Sequence, residues 1–330
     1  MQTVRESDRG WRVLFGLAML IVGFSLLVRW IPEFFTAVGG DRLMYLTHDL
    51  FRSETQYGID LLPPYAPWSI LYWKYYHPDT FLPYLLGHMA IAGTIIWALC
   101  STAFDGLKSR FLQISFVFAL LLAFALDHDS RYYFICLLAV MLSSSYREGR
   151  HRYLYLAIPV VAALTGLIKS SLLFAGFAVF GVLALIDMVR FRRVPWPAIV
   201  YLAAVLVLWT LAGQDATNLG TYIATSASAV RGYPAYLQEY GPLPEVIAYI
   251  VFTGVFLIVV LLAEWRRDRL WGIATFLIYA AIGFVLFKAS FTRHDGMHSI
   301  RAYIALLAWA STYMVLNRET FAAWRLVDPV

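Results

Sequence analysis

The chain has 330 residues, 61% of them hydrophobic and 14% charged, with a mean hydropathy of +0.67. Soluble domains carry roughly 25% charged residues, so this balance belongs to a chain whose solvent is mostly lipid, and a separate soluble domain is excluded. The net charge of +5 does not indicate a nucleic-acid partner, because the surplus Lys and Arg fall in short loops between apolar runs, as membrane topology requires.

The first run follows Arg5, Arg9 and Arg12 and extends from Val13 to Val28. It is long for a signal peptide, lacks a small-x-small cleavage site and ends in Arg29-Trp30, which predicts an uncleaved first helix. Further apolar runs cover residues 81–104, 111–127, 132–146, 153–169, 171–189, 195–213, 245–263, 271–288 and 301–317. A bilayer core takes about 20 apolar residues per helix, and open sheets leave backbone groups unsatisfied in lipid. The expected fold is all-α: a polytopic membrane helical bundle of about ten transmembrane helices, with residues 1–330 forming a single transmembrane domain. Cys100 and Cys136 lie within apolar helices and read as packing residues.

Alternate loops differ in Lys and Arg content. One side collects Arg5, Arg9, Arg12, Lys108, Arg110, Arg147, Arg150, Arg152, Arg190, Arg192, Arg193, Arg266, Arg267, Arg269, Arg318 and Arg325 in the shorter loops. The positive-inside rule makes that side cytoplasmic and predicts an N-in/C-in chain. Its loops (105–110, 147–152, 190–194, 264–270) read as plain charged turns. The outer side carries long loops at 31–80 and 214–244 and two short, ionisable ones, 127–131 and 288–301; long connections of this kind often carry function. Tyr72, Trp73, Tyr75 and Tyr76 in the first loop suit either interfacial anchoring or a sugar- or lipid-lined groove.

Two outer motifs carry candidate chemistry. Asp127-His128-Asp129-Ser130-Arg131 sets two carboxylates one residue apart; they suit a divalent cation, or a base and its orienting partner. The bland alternative is a tight polar turn with Asp129 paired to Arg131. In 288–298, Lys288, Arg293 and His294 are cations suited to phosphate oxygens, or members of a salt-bridged loop. His294 and His298, four apart, meet on a helical face or form a capping cluster with Asp295; their spacing falls short of a zinc site. Lys169, at the hairpin between two apolar runs, either snorkels to the interface or neutralises an anionic headgroup. Helix interiors are mostly free of ionisable groups, His88 being the main exception, so the chemistry is expected at the outer surface.

A large first outer loop with Asp41 soon after the first helix, followed by Asp127 and Asp129 after the third, resembles the membrane C-type glycosyltransferase superfamily, over roughly the first 170 residues. The resemblance implies transfer of a sugar from a polyprenyl-phosphate donor to an envelope glycan, lipid or protein acceptor, on the periplasmic or extracellular face of the bacterial inner (plasma) membrane. It makes Asp41 the catalytic base, with Asp127 and Asp129 as the second acidic group. Arg131, Lys169, Lys288, Arg293 and His294 then hold the phosphate, and Asp295, His298 and Tyr233 contact the substrate. The partners are the bilayer and the polyprenyl-phosphate-linked sugar; the only cofactor in prospect is a divalent cation. The stretch from Leu211 to Gly296, with Arg231-Gly-Tyr233, Gly241-Pro242 and Phe291-Thr-Arg-His-Asp-Gly296, is similar to an uncharacterised bacterial family of polytopic membrane proteins that lends no activity. The rival readings are a transporter or flippase of an envelope intermediate, which needs a matching inner gate, and a scaffold subunit.

Overall fold

The computed structural model describes residues 6–34, 42–61, 65–143, 146, 149–237 and 239–325. Every apolar run is helical: α1 (Glu6–Leu27), α3 (Phe81–Gly106), α4 (Arg110–Leu126), α5 (His128–Met141), α6 (Arg152–Gly166), α7 (Ser170–Val189), α8 (Trp196–Leu211), α10 (Leu243–Trp265), α11 (Arg269–Phe291) and α12 (Gly296–Leu316). Six of these, α1, α3, α7, α10, α11 and α12, are long and apolar enough to cross a membrane; α4, α6 and α8 are shorter apolar helices. Helices α2 (Arg42–Leu50), α9 (Leu219–Leu237) and α13 (Arg318–Arg325) are also described, and no strand occurs among the described residues.

Polar caps, rather than hydropathy, set where the helices begin. Asp127 accepts from the Ser130 amide and starts α5, Asp268 accepts from Trp271 and starts α11, and Asp295 accepts from His298 and starts α12. Each cap satisfies an amide that the first turn would otherwise leave orphaned. The helices therefore begin several residues before their apolar runs. Residues Asp127–Arg131 accordingly open a helix instead of forming a turn, and Arg301 sits inside α12.

Helix α5 is the axis of the bundle. Every residue from Asp129 to Met141 is buried, against α12, α6, α7 and α3. By contrast α1 and α10 expose Leu14, Leu17, Ile21, Ile250, Phe252 and Ile258, an outward apolar face suited to lipid.

The two long loops are more structured than their composition predicts. Within 31–80, the 3₁₀ turn Pro67–Leu71 is wholly buried. The loop folds back into the bundle: the amides of Ala66 and Trp68 donate to the Ile168 and Leu167 carbonyls at 3.2 and 2.9 Å. Non-helical backbone survives at such depth only where protein satisfies it. Tyr75 is buried, while Tyr72, Trp73 and Tyr76 are half-buried along this segment. Within 214–244, α9 packs Leu219, Tyr222 and Ile223 against the core and buries Ser226, a helical spacing masked by small and polar neighbours.

The same loops are tied to each other. The Gln214 side chain accepts from the Tyr57 amide at 2.8 Å and donates to the Thr55 carbonyl at 3.1 Å, while Gln56 Oε1 accepts from the Asp215 amide at 2.8 Å. Gly58 adopts φ +88°, and a Cβ there would fall 2.5 Å from Tyr222 Cα. Only glycine permits both that conformation and that approach.

Helix α2 docks through His48, whose Nδ1 lies 2.7 Å from Thr80 Oγ1 and whose ring stacks on His77. Burial first, and the His77 imidazole second, push the His48 pKa down from 6.5 to about 4. The undocked segment therefore takes up its proton first, so this docking is fully stable above pH 6.5 and weakens as the pH falls toward 4. Hydrogen-exchange protection factors for α2 should fall across that window and stay flat in His48→Gln. Full protection of the parent protein at pH 4 would contradict this account.

Candidate functional site

Four of the predicted site residues meet at the amino-terminal end of α5. Asp129 is essentially inaccessible. Its Oδ2 lies 2.9 Å from Lys169 Nζ and 2.9 Å from Arg301 Nη1, and accepts the Tyr72 hydroxyl at 3.2 Å. Arg301 Nε also stands 3.6 Å from Asp127 Oδ1. Asp127 spends its other oxygen on the Ser130 amide at 2.7 Å.

Each partner comes from a different element. Lys169 is the residue before α7, held where the re-entrant loop pairs with it through Tyr65, and its ammonium lies 3.7 Å over the Tyr72 ring. That cation–π contact adds to the ion pair in a desolvated place, so Lys169 is embedded instead of snorkelling outward. Arg301 enters from α12 and is buried. Arg131 does not pair with Asp129: its Nη1 donates to the Leu27 carbonyl at 2.7 Å and its Nε to the His128 carbonyl at 3.2 Å. The helical geometry of α5 turns Arg131 away from Asp129, two residues earlier. Arg29 donates to the Tyr72 carbonyl at 3.4 Å.

Four cations, Arg29, Arg131, Lys169 and Arg301, thus gather around two carboxylates, Asp127 and Asp129. Two buried donors there, Arg301 Nε and Trp73 Nε1, make no hydrogen bond among the described residues; Arg301 Nε has only the 3.6 Å contact with Asp127, and His128 Nε2 only a 3.7 Å contact with Asp129 Oδ1. Buried donors without acceptors are costly, and an anion would supply acceptors to Arg301 Nε and Trp73 Nε1. Lys169 and Arg301 both engage Asp129 Oδ2, while Asp129 Oδ1 makes no hydrogen bond among the described residues. Among the described residues no group of three or more His, Cys, Asp or Glu forms a metal-binding set.

The remaining predicted residues engage elsewhere. Arg293 lies 3.5 Å from Glu239, and His294 Nε2 lies 3.0 Å from Glu245. His298 is held by the capping carboxylate of Asp295 at 2.7 Å; the two histidines share no face, because His294 precedes the helix that contains His298. Lys288 is half-buried on α11 and pairs with no described residue. Asp41 and the Tyr233 side chain lie outside the described residues. Sequence reasoning placed Tyr72 among the aromatics of a candidate groove and Arg301 among the outer cations, but assigned neither to the site with Asp129; the signal for Arg301 was a guanidinium opening an apolar run.

A second polar centre lies at the other end of the same helices. A cavity of about 690 Å³ is lined by residues including Val140, Glu264, Thr275, Tyr279 and Tyr313. Asp105, Lys108, Arg150, Arg267 and Arg318 also line it, so residues of three of the four charged loops, and Arg318 beyond α12, border one cavity. The loops converge because the ends of α3, α10 and α12 pack together, with Gly106 directly against the Val315 backbone.

Comparison with known proteins returns no matching family model, no matching curated protein and no matching solved structure.

Removing a carboxylate that compensates two buried cations should destabilise by about 3–5 kcal/mol. Asp129→Ala is therefore expected to lower the thermal unfolding temperature in detergent markedly, and adding Arg301→Met to recover part of the loss. An Asp129→Ala protein as stable as the parent would remove the ion network from this role.

Proposed function

We propose that this chain is a membrane glycosyltransferase of the bacterial inner (plasma) membrane. It crosses the bilayer ten times, keeps both ends in the cytoplasm and moves a sugar from a polyprenyl-phosphate donor to an envelope acceptor on the outer face. The observation that carries this reading is the surplus of cations over carboxylates around Asp129, together with the acceptor-less donors Arg301 Nε and Trp73 Nε1.

In this scheme Arg131, Lys169 and Arg301 face the leaving polyprenyl phosphate and stabilise the negative charge that develops on it. Lysine and arginine fixed by Asp129, Tyr72 and backbone carbonyls need little rearrangement as the charge appears. Asp129, already shared between two cations, is a poor proton acceptor; its part is to position Lys169 and Arg301. The base is assigned to Asp41, which takes the proton from the acceptor hydroxyl. The aromatic segment around Tyr65, Tyr72 and Trp73 supplies rings for the sugar face.

Transport of a lipid or glycan intermediate is the second reading, and one observation favours it. The same two helices, α5 and α12, carry the charge network at one end and the lined cavity at the other. A transporter needs polar stations at both faces.

The two readings differ in what happens to the substrate. Proteoliposomes given a polyprenyl-phosphate-linked sugar and an acceptor extract should release polyprenyl phosphate. Asp41→Asn should slow that release by about 10²–10⁴-fold, the usual range for a lost general base, while leaving the unfolding temperature unchanged. Lys169→Ala should raise the KM for the donor. Movement of intact substrate across the bilayer, with no polyprenyl phosphate released, would refute transfer and favour transport.

A further inference from the structure

The cavity remote from Asp129 has a two-part lining. Its interior holds Glu264, Thr275, Tyr279 and Tyr313, all buried. Its rim holds four exposed cations, Lys108, Arg150, Arg267 and Arg318, against two carboxylates, Asp105 and the exposed Glu319.

The interior is underbonded. Glu264 Oε1 accepts the Tyr313 hydroxyl at 2.7 Å, but Glu264 Oε2, Thr275 Oγ1 and Tyr279 OH have no hydrogen-bond partner among the described residues. One buried carboxylate oxygen and two buried hydroxyls on one recess make a mixed acceptor–donor surface. That surface matches vicinal hydroxyl groups, which both donate and accept. Valine or leucine at these places would have closed the bundle at lower cost.

The rim selects for charge. Asp105 is consumed by Arg150 at 2.9 Å and His151 at 2.7 Å. Arg267 bonds Asn317 at 2.7 Å and also Thr320; Arg318 reaches the Gly106 carbonyl at 3.3 Å with one nitrogen. Lys108 makes no ion pair with a described residue. An organic amine drawn to Glu264 would have to pass this positive rim and displace Arg267, which lies 3.8 Å from Glu264 Oε1. A phosphate is attracted by the same rim. The volume of about 690 Å³ falls within the usual size of small-molecule sites, about 300–1,000 Å³.

We propose that this cavity binds a phosphorylated sugar or polyol, with the phosphate at Lys108 and Arg318 and the hydroxyls at Glu264, Thr275 and Tyr279. The site is separate from the charge network at Asp129, and binding there requires no turnover, so it stands or falls independently of the transferase reading.

Titration calorimetry on the full-length protein in detergent tests it. The probes are glucose-1-phosphate, galactose-1-phosphate, mannose-1-phosphate and glycerol-3-phosphate, with glucose, inorganic phosphate and ethanolamine as controls. At least one phosphorylated probe should bind about tenfold or more tightly than glucose or phosphate alone, a difference of about 1.4 kcal/mol. Lys108→Ala, an exposed change that leaves folding intact, should weaken it about tenfold. Thr275→Val and Glu264→Gln should reduce it to the affinity of inorganic phosphate; Thr275→Val, nearly isosteric, serves if Glu264→Gln does not fold. Absence of binding by every phosphorylated probe would overturn the proposal. So would phosphate binding as tightly as its sugar esters, ethanolamine binding that Glu264→Gln abolishes, or binding indifferent to both Lys108→Ala and Thr275→Val.

Discussion

A single carboxylate organises one end of this bundle. Asp129 is surrounded by protein, and a buried carboxylate persists only when it is paired and hydrogen-bonded. Its partners come from α12 through Arg301, from the start of α7 through Lys169, and from the re-entrant loop through Tyr72. Three segments distant in sequence are thereby held to the first turn of α5. Apolar packing in lipid is comparatively indifferent to how helices are rotated and shifted along their axes, because lipid tails are as apolar as leucine. A buried ion network is not indifferent. It gives α5, α7 and α12 a defined alignment.

That alignment has a consequence for the length of the polar path. Helix α5 has 14 residues, so it is only about 21 Å long, against roughly 30 Å for the hydrocarbon core of a bilayer. It is wholly enclosed by longer helices. At one end of this short central helix lies the buried ion network of Asp129, and at the other Val140 and Met141 line the cavity. The thinned centre is compatible with transfer chemistry at one face and ligand binding at the other, and also with passage between them. It accounts for why the polar residues of this chain cluster on α3, α5, α11 and α12 while α1 and α10 present leucine, isoleucine and phenylalanine outward.

The sequence was most legible where one physical cause dominated. Ten apolar runs became ten helices because a backbone in lipid must satisfy itself, and a helix does so within one segment. The grouping of Asp127, Asp129, Arg131 and Lys169 was readable as residue types that do not belong at helix ends near lipid without a purpose. Legibility failed where several causes compete over short distances. The boundary of α12 depended on Asp295 as a cap, and this carried Arg301 from the edge of an apolar run into the interior. The polar motif at 288–298 read equally as a phosphate site and as a salt-bridged loop, and spacing along the chain could not choose between them; Glu239 and Glu245, some fifty residues earlier, pair with Arg293 and His294. Glu264 read as the edge of a charged turn until the last turn of α10 carried it inside.

The sequence by itself determined the class of the molecule and its helices, since hydropathy and helix capping act within a few residues. It also determined which side chains were expensive to bury. Only the tertiary structure decided which of those meet. Pairing Asp129 with Arg301 rather than Arg131 depends on the rotation of α5 and the depth of α12, and closing the cavity over Glu264 depends on how α3, α10 and α12 converge. Those quantities come from packing between segments up to two hundred residues apart, where spacing along the chain imposes almost no constraint.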